Sequence, residues 1–372
     1  MKKVLHIING LEQGGSETAL FRLLKAMHRD YEFHVIVLNQ AGYYSSKIAA
    51  LGIPIYYLSI KKNPLAACFR LSIYIKQLKP DIVQTWLYHS DLLGGLFAKL
   101  HGIKKIIWGV RCEGVGLKKS TQWMKQACAL LSNKIPQYII TNSKAASKNH
   151  IQAGYKDHKM QIIYNGFDAN EFYPNKTSNR LIDNQLISND SIVIGTLARF
   201  HQDKGYDTLI KAIDQICEAQ PNSYFVLCGH GCHADNHLLT SLLETLVYRE
   251  RVLLINGTTS PIDYLNTLDI FVQPSKTESF SNSLAEAMLC GLPCIATNVG
   301  ETQTICNHHA TLIPSNSTEQ LALACIAMTR KSQQERIELG SRARNQIAQS
   351  YSMEQYTKQL QHLYDATNNQ LE

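Results

Sequence analysis

Short apolar runs alternate with amphipathic segments along the first half of the chain. The runs are rich in Val, Ile or Tyr and are bounded by Gly, Pro, Asn or Lys, which is typical of buried strands. They predict strands at 4–8, 33–38, 55–58, 82–85, 106–110 and 138–141. The segments between them predict helices at 16–28, 64–78, 90–101, 118–133 and 143–153. Strands that alternate with helices of this length indicate βαβ units and a parallel sheet.

The alternation stops at residues 174–191, which are polar and lack clear periodicity, and it then restarts. In the second half, the pattern predicts strands at 191–197, 224–228, 252–255, 270–273, 293–296 and 311–313. It also predicts helices at 205–219, 236–248, 261–267, 282–290 and 318–329, and a last helix at 351–366. We therefore interpret the polar interruption as a linker between two α/β units.

The predicted fold class is α/β, with two Rossmann-like domains. The first domain spans 1–172, a linker spans 173–190, the second domain spans 191–350, and a C-terminal helix at 351–372 packs back on the first domain. A chain of 372 residues suits two domains of ordinary size. Ligands of such sheets bind beyond the carboxyl ends of the strands, so two facing domains would form an interdomain cleft.

Composition narrows the class of protein. Apolar residues make up 45% and charged residues 18%, which is typical of folded globular chains. The chain has no uninterrupted apolar run of the roughly 18 residues that a transmembrane helix needs. The apolar start is interrupted by His6 and Asn9, so it is interpreted as a strand rather than a signal peptide. The expected location is the cytoplasm.

Cysteine usage agrees with a reducing compartment. Most of the ten cysteines lie in apolar stretches, and we expect them to be free thiols. Cys228, Cys232 and the nearby histidines follow no common zinc spacing. This segment is therefore interpreted as a strand end followed by a Gly-rich loop, and no metal site is predicted.

Charge is distributed unevenly along the chain. Residues 1–170 carry 23 Lys and Arg against 9 Asp and Glu, whereas residues 171–372 carry 14 against 21. A basic half suggests an anionic partner such as a phospholipid surface or a phosphorylated lipid. The basic and apolar stretches at 61–79 and 117–134 could lie on a membrane surface, or they could simply pack on the sheet with their lysines in solvent. No nucleic-acid recognition motif is present, so nucleic acid is not an expected partner.

A polar loop and a new helix follow the predicted strand at 270–273. The loop carries Glu278, and the helix that starts near 281–283 carries Glu286. A helix N-terminus suits a phosphate, and two carboxylates can accept hydrogen bonds from sugar hydroxyls. The alternative is structural, because Ser283-x-x-Glu286 matches a capping box and Glu278 would then be a solvated loop residue.

The loop after the strand at 191–197 carries two cations, Arg199 and Lys204, just ahead of Gly205. Cations at this place can neutralise a diphosphate leaving group without a metal ion. The chain contains no Asp-x-Asp pair of the kind that holds a divalent ion on phosphates. A solvated Lys-Gly turn is the structural alternative for this loop.

The loop after the first strand contains Gly14 and Gly15 but not the Gly-x-Gly-x-x-Gly dinucleotide fingerprint, which disfavours a nicotinamide dehydrogenase. The two glycines allow a close backbone approach, and Ser16 can cap the helix that follows. A simple turn explains this segment as well as a functional role does.

Together these segments resemble family 4 of the retaining glycosyltransferases, which has the two-domain GT-B fold. The resemblance covers nearly the whole chain. Its most specific part is Glu278-x7-Glu286, followed by Glu-Ala-Met-x-x-Gly-x-Pro at 286–293 and by Ala296-Thr297-x-Val299-Gly300. The other pieces are Gly14-Gly15-Ser16-Glu17, Asn165-Gly166-Phe167-Asp168, Arg199 with Lys204-Gly205, and Gly229-His230-Gly231. Each piece is short, and the order and spacing make the set specific.

The resemblance implies a role for each matching position. Arg199 and Lys204 would hold the diphosphate, Glu278 would contact the donor sugar, and Glu286 would take the ribose hydroxyls. Further donor-binding positions are Phe280, Ser281, Asn282 and Ser283 around the phosphate and sugar, and Gly229, Gly231, Asn256 and Gly257 around the base. The acceptor side of the cleft would include Gly14, Gly15, His89 and Arg111. No metal or cofactor is implied, and the nucleotide sugar is the co-substrate.

Two positions depart from the family pattern. Some relatives carry a His where this chain has Arg111, so a catalytic His is not carried over, and His89 is another candidate on the acceptor side. The acidic residue that follows Val-Gly is present as Glu301, but the next residues, Thr302-Gln303-Thr304, are less typical.

The expected activity is metal-independent, retaining transfer of a sugar from a UDP- or GDP-sugar to a glycan or lipid-linked glycan. The family implies attack from the same face, with the leaving phosphate as the base, in surface polysaccharide or lipopolysaccharide assembly. We expect the enzyme in the cytoplasm, either free or peripheral on the inner face of the cytoplasmic membrane. A nucleotide-sugar epimerase of the same fold and a non-catalytic nucleotide-sugar-binding protein are the alternatives.

Overall fold

The chain forms two compact units. The computed structural model describes residues 1–114, 116–175, 180–182, 185–258 and 260–366. The first unit contains Met1–Gly166 together with the chain from Met353 onward, and the second contains Phe167–Ser352. By this division the predicted linker at 173–190 falls inside the second unit, and its residues 176–179 and 183–184 lie outside the described residues.

The first unit is built on a parallel sheet, which has seven strands in the described residues. They are β1 (Lys3–Ile8), β2 (Glu32–Val37), β3 (Ile55–Tyr57), β4 (Ile82–Trp86), β5 (Lys105–Val110), β6 (Tyr138–Thr141) and β7 (Met160–Ile162). Their order is β3-β2-β1-β4-β5-β6-β7, so the direction of winding reverses between β1 and β4. This reversal is the place where a Rossmann-like sheet opens a crevice for ligands.

Helices connect these strands. They are α1 (Gly15–Met27), α2 (Ser45–Ala49), α3 (Pro64–Leu78), α4 (Tyr88–Leu100), α5 (Lys119–Leu131) and α6 (Lys144–Gln152). Side chains of α3, α4 and α5, such as Leu71, Ala98 and Ala129, share one apolar core with the sheet. Leu20 and Leu24 of α1 belong to a separate core that also contains strand residues. The sheet is therefore covered on both faces, as its nearly uninterrupted apolar strands require.

The second unit repeats the same winding. After a short antiparallel pair, β8 (Arg180–Ile182) and β9 (Gln185–Ile187), its parallel strands are β10 (Ile192–Leu197), β11 (Ser223–Cys228), β12 (Val252–Ile255), β13 (Ile270–Gln273), β14 (Cys294–Thr297) and β15 (Thr311–Ile313). Their order is β12-β11-β10-β13-β14-β15, with the reversal between β10 and β13. The two units confirm the predicted α/β fold class with two Rossmann-like domains.

The helices of the second unit include two that the sequence pattern missed. They are α7 (Tyr206–Ala219), α8 (His237–Leu243), α9 (Pro261–Asn266), α10 (Asn282–Leu289), α11 (Thr302–Cys306), α12 (Thr318–Thr329) and α13 (Gln333–Ser350). The missed elements are the short α11 and the long α13, where only Gly340, Ala343 and Ile347 are buried, so the apolar side of the helix is narrow and made mostly of small residues. Its start is fixed by a capping box between Ser332 and Glu335.

The last helix, α14 (Met353–Asp365), returns to the first unit as predicted. Tyr364 is fully buried there and donates a hydrogen bond to the side chain of Gln84. Asp365 pairs with Lys2 at 2.7 Å. Residues 367–372 of the predicted C-terminal segment lie outside the described residues. Within the part of the chain that the structure describes, no helix has both the length and the apolar character needed to cross a bilayer.

Candidate active site

The candidate site of the second unit lies beyond the carboxyl ends of β10 and β13. The chain leaves β10 at Leu197 and reaches Arg199 two residues later, whereas it leaves β13 at Gln273 and reaches Glu278. Because these strands are neighbours at the reversal of the sheet, both loops lie where such folds bind ligands. The Arg199 side chain is exposed and has no hydrogen bond or ion pair within the described residues. It is therefore available to an anion from solution.

A charged pair joins the two loops. Lys204 Nζ lies 2.6 Å from Glu278 Oε1, and the Ser275 hydroxyl donates to the same oxygen at 2.9 Å. The Lys204 and Glu278 side chains are 21% and 12% exposed, so solvent screens the pair only partly. The structure thus brings together Lys204 and Glu278, two predicted catalytic residues that lie far apart in sequence. Ser275 was not among the predicted residues, because a lone Ser in a polar loop carries no sequence signal.

The two loops are pressed against each other at Gly205. This glycine has φ +66°, and a Cβ atom on it would lie 1.9 Å from the Pro274 carbonyl oxygen. The Lys276 amide donates to the Asp203 carbonyl at 2.7 Å, and the Lys276 ammonium pairs with Asp207 at 2.8 Å. Only glycine fits this combination of left-handed backbone and close approach. The geometry that pairs Lys204 with Glu278 therefore depends on Gly205.

The helix that follows Glu278 is capped by Ser281. Its hydroxyl accepts the Leu284 amide at 3.4 Å, and α10 begins at Asn282. The structural alternative of a capping box between Ser283 and Glu286 is wrong, because Ser283 already lies inside the helix. No acidic residue occupies the first turn of α10, so its positive N-terminal potential is not neutralised from within the helix.

Phe280 and Glu286 are both buried, at 6% exposure each. The Phe280 ring packs on Phe167 and Tyr351 with centroid distances of 6.1 and 5.6 Å, which fixes the loop in front of α10. Glu286 lies one turn into α10 beside Cys290. Burial raises the pKa of the Cys290 thiol to about 12, and the nearby Glu286 carboxylate contributes to this rise. Glu286 is thus a buried acidic residue on α10.

The loops after β11 and β12 complete this edge of the second unit. Gly229 has φ +151°, and a Cβ atom on it would lie 1.7 Å from the Ala198 carbonyl oxygen, next to Arg199. The Gly231 amide donates to the Asn256 side chain at 3.0 Å. Gly257 has φ +78° and turns the chain after β12. The predicted base-pocket residues therefore form one connected loop cluster beside Arg199.

Cys228 and Cys232 are buried, and burial raises the pKa values of their thiols to about 12 and about 11. Among the described residues, no group of three or more His, Cys, Asp or Glu side chains is arranged to hold a metal ion. This segment is the end of β11 followed by a loop, as the sequence suggested.

In the first unit, Gly14 and Gly15 begin α1. Gly14 is the N-terminal cap in extended conformation, and Gly15 is the first helical residue. The predicted cap at Ser16 is wrong, because Ser16 lies inside the helix and is buried. Nearby, the Ser90 hydroxyl donates to the Asn9 side chain at 2.8 Å, which joins the loop after β1 to the first turn of α4.

His89 is the second residue of α4 and is partly buried. Burial lowers the pKa of its imidazole, which favours the neutral form. The helix follows Leu87, which has the unusual φ of +70° for a residue with a side chain. The strained turn places His89 at the carboxyl edge of the first sheet, so the structure leaves it available as an acceptor-side residue.

Arg111 is buried within the first unit. Its guanidinium donates to the Asn165 side chain at 2.5 Å and to the Tyr356 hydroxyl at 3.0 Å, and it lies 4.5 Å from the centre of the Trp86 ring. These contacts attach α14 to the sheet. Arg111 thus has a clear structural role, whatever part it plays towards an acceptor.

Asp91 is a buried titratable group that the sequence did not single out. It accepts the Thr85 hydroxyl at 2.6 Å and the Gly109 amide at 3.3 Å. Burial raises the pKa of its carboxyl group to about 7. In the sequence it reads as an ordinary acidic residue in the first turn of a helix, where Asp is favoured anyway.

Comparisons with known proteins agree with this architecture. Two family models match in succession: Glycosyltransferase Family 4 over residues 13–171, and Glycosyl transferases group 1 over residues 178–346. The chain is 27% identical to the putative glycosyltransferase EpsF of Bacillus subtilis, over 79% of this chain and 78% of the relative. It is 23% identical to the O-antigen biosynthesis glycosyltransferase WclY of Escherichia coli, over 80% of each protein.

Among solved structures, the Anabaena HepE protein in complex with UDP-glucose superposes with a TM-score of 0.83. The alignment covers 97% of this chain and 99% of that one, at 19% sequence identity, so it shows the fold alone. The two family models together span most of the sequence, one on each unit. The chain therefore belongs to the group 1 glycosyltransferases of family 4, and it is a hexosyltransferase-type enzyme with the GT-B fold.

Proposed function

We propose that this enzyme moves a sugar from a UDP- or GDP-sugar to a lipid-linked glycan, with retention of configuration and without a metal ion. The observation that carries the proposal is the Lys204–Glu278 pair beside the exposed Arg199, at the reversal of the second sheet. This arrangement supplies two cations and one carboxylate where such sheets bind ligands. No cofactor is needed beyond the nucleotide sugar.

Departure of a nucleoside diphosphate builds negative charge on the phosphates. Arg199 can form a bidentate contact with a phosphate, and Lys204 adds a second positive charge. The first turn of α10 contributes a positive potential that no acidic residue of that turn cancels. Together these groups stabilise the leaving group electrostatically, which is the task that a divalent ion performs in metal-dependent enzymes.

Glu278 is suited to binding the sugar rather than attacking it. One of its oxygens already accepts from both Lys204 and Ser275, which lowers its strength as a nucleophile. As an acceptor-only group, it can take hydrogen bonds from sugar hydroxyls. Retention would then follow from attack by the acceptor on the same face, with the leaving phosphate as the base.

The proposed acceptor class rests on the positive charge of the first half of the chain and on what a relative is named for. The relative WclY is named as an enzyme of O-antigen biosynthesis. The basic first half of this chain, with 23 Lys and Arg against 9 Asp and Glu in residues 1–170, suits a phosphorylated lipid carrier. We therefore place the enzyme in surface polysaccharide or lipopolysaccharide assembly at the cytoplasmic face of the membrane.

A thermal-shift panel of nucleoside diphosphates, with and without EDTA, tests the donor site. We expect UDP or GDP to raise the unfolding midpoint equally in both conditions. Lys204→Ala should strongly reduce the shift, whereas Lys211→Ala, at an exposed lysine of α7, should preserve it. No response to any nucleotide, or a response that EDTA removes, would contradict the proposal. The anomeric configuration of the product, followed by NMR, separates retention from inversion.

A further inference from the structure

Large apolar side chains are exposed on one helical layer of the first unit. Within the described residues, α3, α4 and α5 each expose two of them. They are Leu65, Phe69, Leu96, Leu100, Trp123 and Leu130, with exposed fractions of 85, 69, 39, 70, 73 and 82%. Scattered single exposures are ordinary on protein surfaces, but a group of this size is not.

The exposed residues form stripes along their helices. Leu65 and Phe69 are four residues apart on α3, Leu96 and Leu100 are four apart on α4, and Trp123 and Leu130 are seven apart on α5. These spacings place each pair on one side of its helix. We call the outer surface of these three helices the α3–α5 face. Since α4 contacts both α3 and α5, the three helices that carry these stripes lie side by side.

Packing on the sheet does not account for this surface. The inner sides of the three helices already bury residues such as Leu71, Ala98 and Ala129 against the strands. The helices that contribute to the other core of the first unit, α1, α2 and α14, expose no large apolar side chain among their described residues. Among the described helices of the first unit, the exposure is therefore confined to the α3–α5 face, and it has an energetic cost in water that a partner would remove.

The charges around these stripes are almost all positive. Residues 61–134 carry 13 Lys and Arg against 3 Asp and Glu. The only acidic residue within the three helices is Asp91, and it is fully buried. Exposed cations lie beside the apolar stripes on every helix, among them Arg70, Lys99 and Lys119. The occupant of this face must therefore be apolar and anionic at once.

We propose that the α3–α5 face binds a bilayer rich in anionic lipid, with Trp123 and Phe69 entering the headgroup region. Exposed apolar side chains with Lys and Arg beside them are typical of a protein surface that lies in the membrane interface. This proposal rests on the proposed function, because binding of the α3–α5 face to lipid would hold the first unit against the membrane that carries a lipid-linked acceptor. Vesicle binding can nevertheless be measured without any substrate.

Trp123 provides a native reporter for this contact. The chain has three tryptophans, and Trp86 and Trp108 are fully buried, so a change in tryptophan fluorescence on vesicle binding reports Trp123. With vesicles of phosphatidylcholine and phosphatidylglycerol, we expect a blue shift, quenching by brominated lipid, and co-sedimentation that high salt reverses. Vesicles of phosphatidylcholine alone should bind much more weakly.

Substitutions distinguish vesicle binding through the α3–α5 face from vesicle binding through another part of the chain. Trp123→Glu should weaken vesicle binding by about tenfold or more, because it exchanges an inserting ring for a repelled charge. Lys119→Gln should weaken it by about fivefold through the loss of one cation near the lipid surface. Leu238→Glu, at a 75% exposed leucine of the second unit, is the matched control and should bind normally. All three variants should keep the thermal shift with UDP or GDP, which tests the donor site independently.

Three results would overturn the inference. The first is no binding to anionic vesicles at low salt. The second is binding without any change in Trp123 fluorescence, or equally weakened by Leu238→Glu, which would locate the contact elsewhere. The third is concentration-dependent self-association that Trp123→Glu abolishes in the absence of vesicle binding, which would assign the face to a second copy of the chain.

Discussion

The contact between Gly205 and Pro274 is the feature on which the geometry of the donor site most depends. In Gly205→Ala, the new Cβ would stand 1.9 Å from the Pro274 carbonyl oxygen, so the two loops must separate by about 1.5 Å to restore an ordinary contact. The left-handed backbone costs roughly 1–2 kcal/mol for a residue with a side chain. Relief of the overlap costs about 1–3 kcal/mol more. We expect a total destabilisation of roughly 2–5 kcal/mol.

Gly52→Ala is the matched control for this substitution. Gly52 has φ +76°, and a Cβ atom placed on it meets nothing within 4 Å. The control therefore carries the backbone cost alone, about 1–2 kcal/mol. Thermal unfolding of both variants should show a midpoint lower by roughly 5–15 °C for Gly205→Ala and by only a few degrees for Gly52→Ala. Separation of the loops should also pull Lys204 from Glu278 and weaken the binding of a nucleoside diphosphate.

Equal midpoints for the two variants would contradict this reasoning, since they would show that the overlap has no cost beyond the backbone strain. Unchanged nucleotide affinity in a strongly destabilised Gly205→Ala would show that the pairing of Lys204 with Glu278 does not depend on the loop contact. Either result would show that the close contact at Gly205 does not set the geometry of the donor site.

Glu278→Gln keeps the shape of the side chain and removes its charge, so kcat should fall far more than nucleotide affinity. Glu244→Gln, at an exposed site, is the control. Equal losses in kcat and in nucleotide affinity would exclude a role of Glu278 that is specific to the sugar. Burial raises the pKa of Asp91 to about 7 from 3.8, so the folded state binds this proton more tightly than the unfolded state does. The contribution of the protonated carboxyl group to the free energy of unfolding is complete below about pH 4 and is lost as the pH rises to about 7. Wild-type stability should therefore fall by up to about 4 kcal/mol over that range, whereas Asp91→Asn should lack this slope in pH-dependent denaturation. Ser332→Ala removes the capping box of α13 and should lower stability by about 1 kcal/mol in thermal unfolding, and an unchanged midpoint would show that the cap contributes nothing.

Much of the fold was predictable because its strands are buried on both faces. Runs such as 138–141, 252–255 and 270–273 matched the observed strands residue for residue, since strands of a parallel sheet that is covered on both faces are apolar at nearly every position. The helix α13 was missed for the opposite reason, because it buries few side chains, most of them small, and its apolar side is narrow. Its capping box, Ser332-x-x-Glu335, was the one local signal that could have revealed it.

The candidate site was predictable in its residues but not in its contacts. Order and spacing singled out Arg199, Lys204 and Glu278, whereas the ion pair between the last two depends on how β10 and β13 become neighbours. No local pattern encodes that pairing. The sequence does not reveal that Asp91 is buried with a raised pKa, because burial is a property of the folded chain. In the sequence, Asp91 occupies the position of an ordinary acidic residue at a helix start.

The central claim is that Arg199 and Lys204 bind a nucleoside diphosphate beside Glu278 without a metal ion, and calorimetric titration in EDTA tests it most directly. Loss of a charge-assisted contact worth about 1.5–3 kcal/mol predicts that Lys204→Ala raises the Kd of UDP or GDP by roughly 10- to 150-fold. Lys211→Ala should bind like the wild type. An unchanged Kd in Lys204→Ala, or binding that disappears when EDTA is added, would contradict the claim.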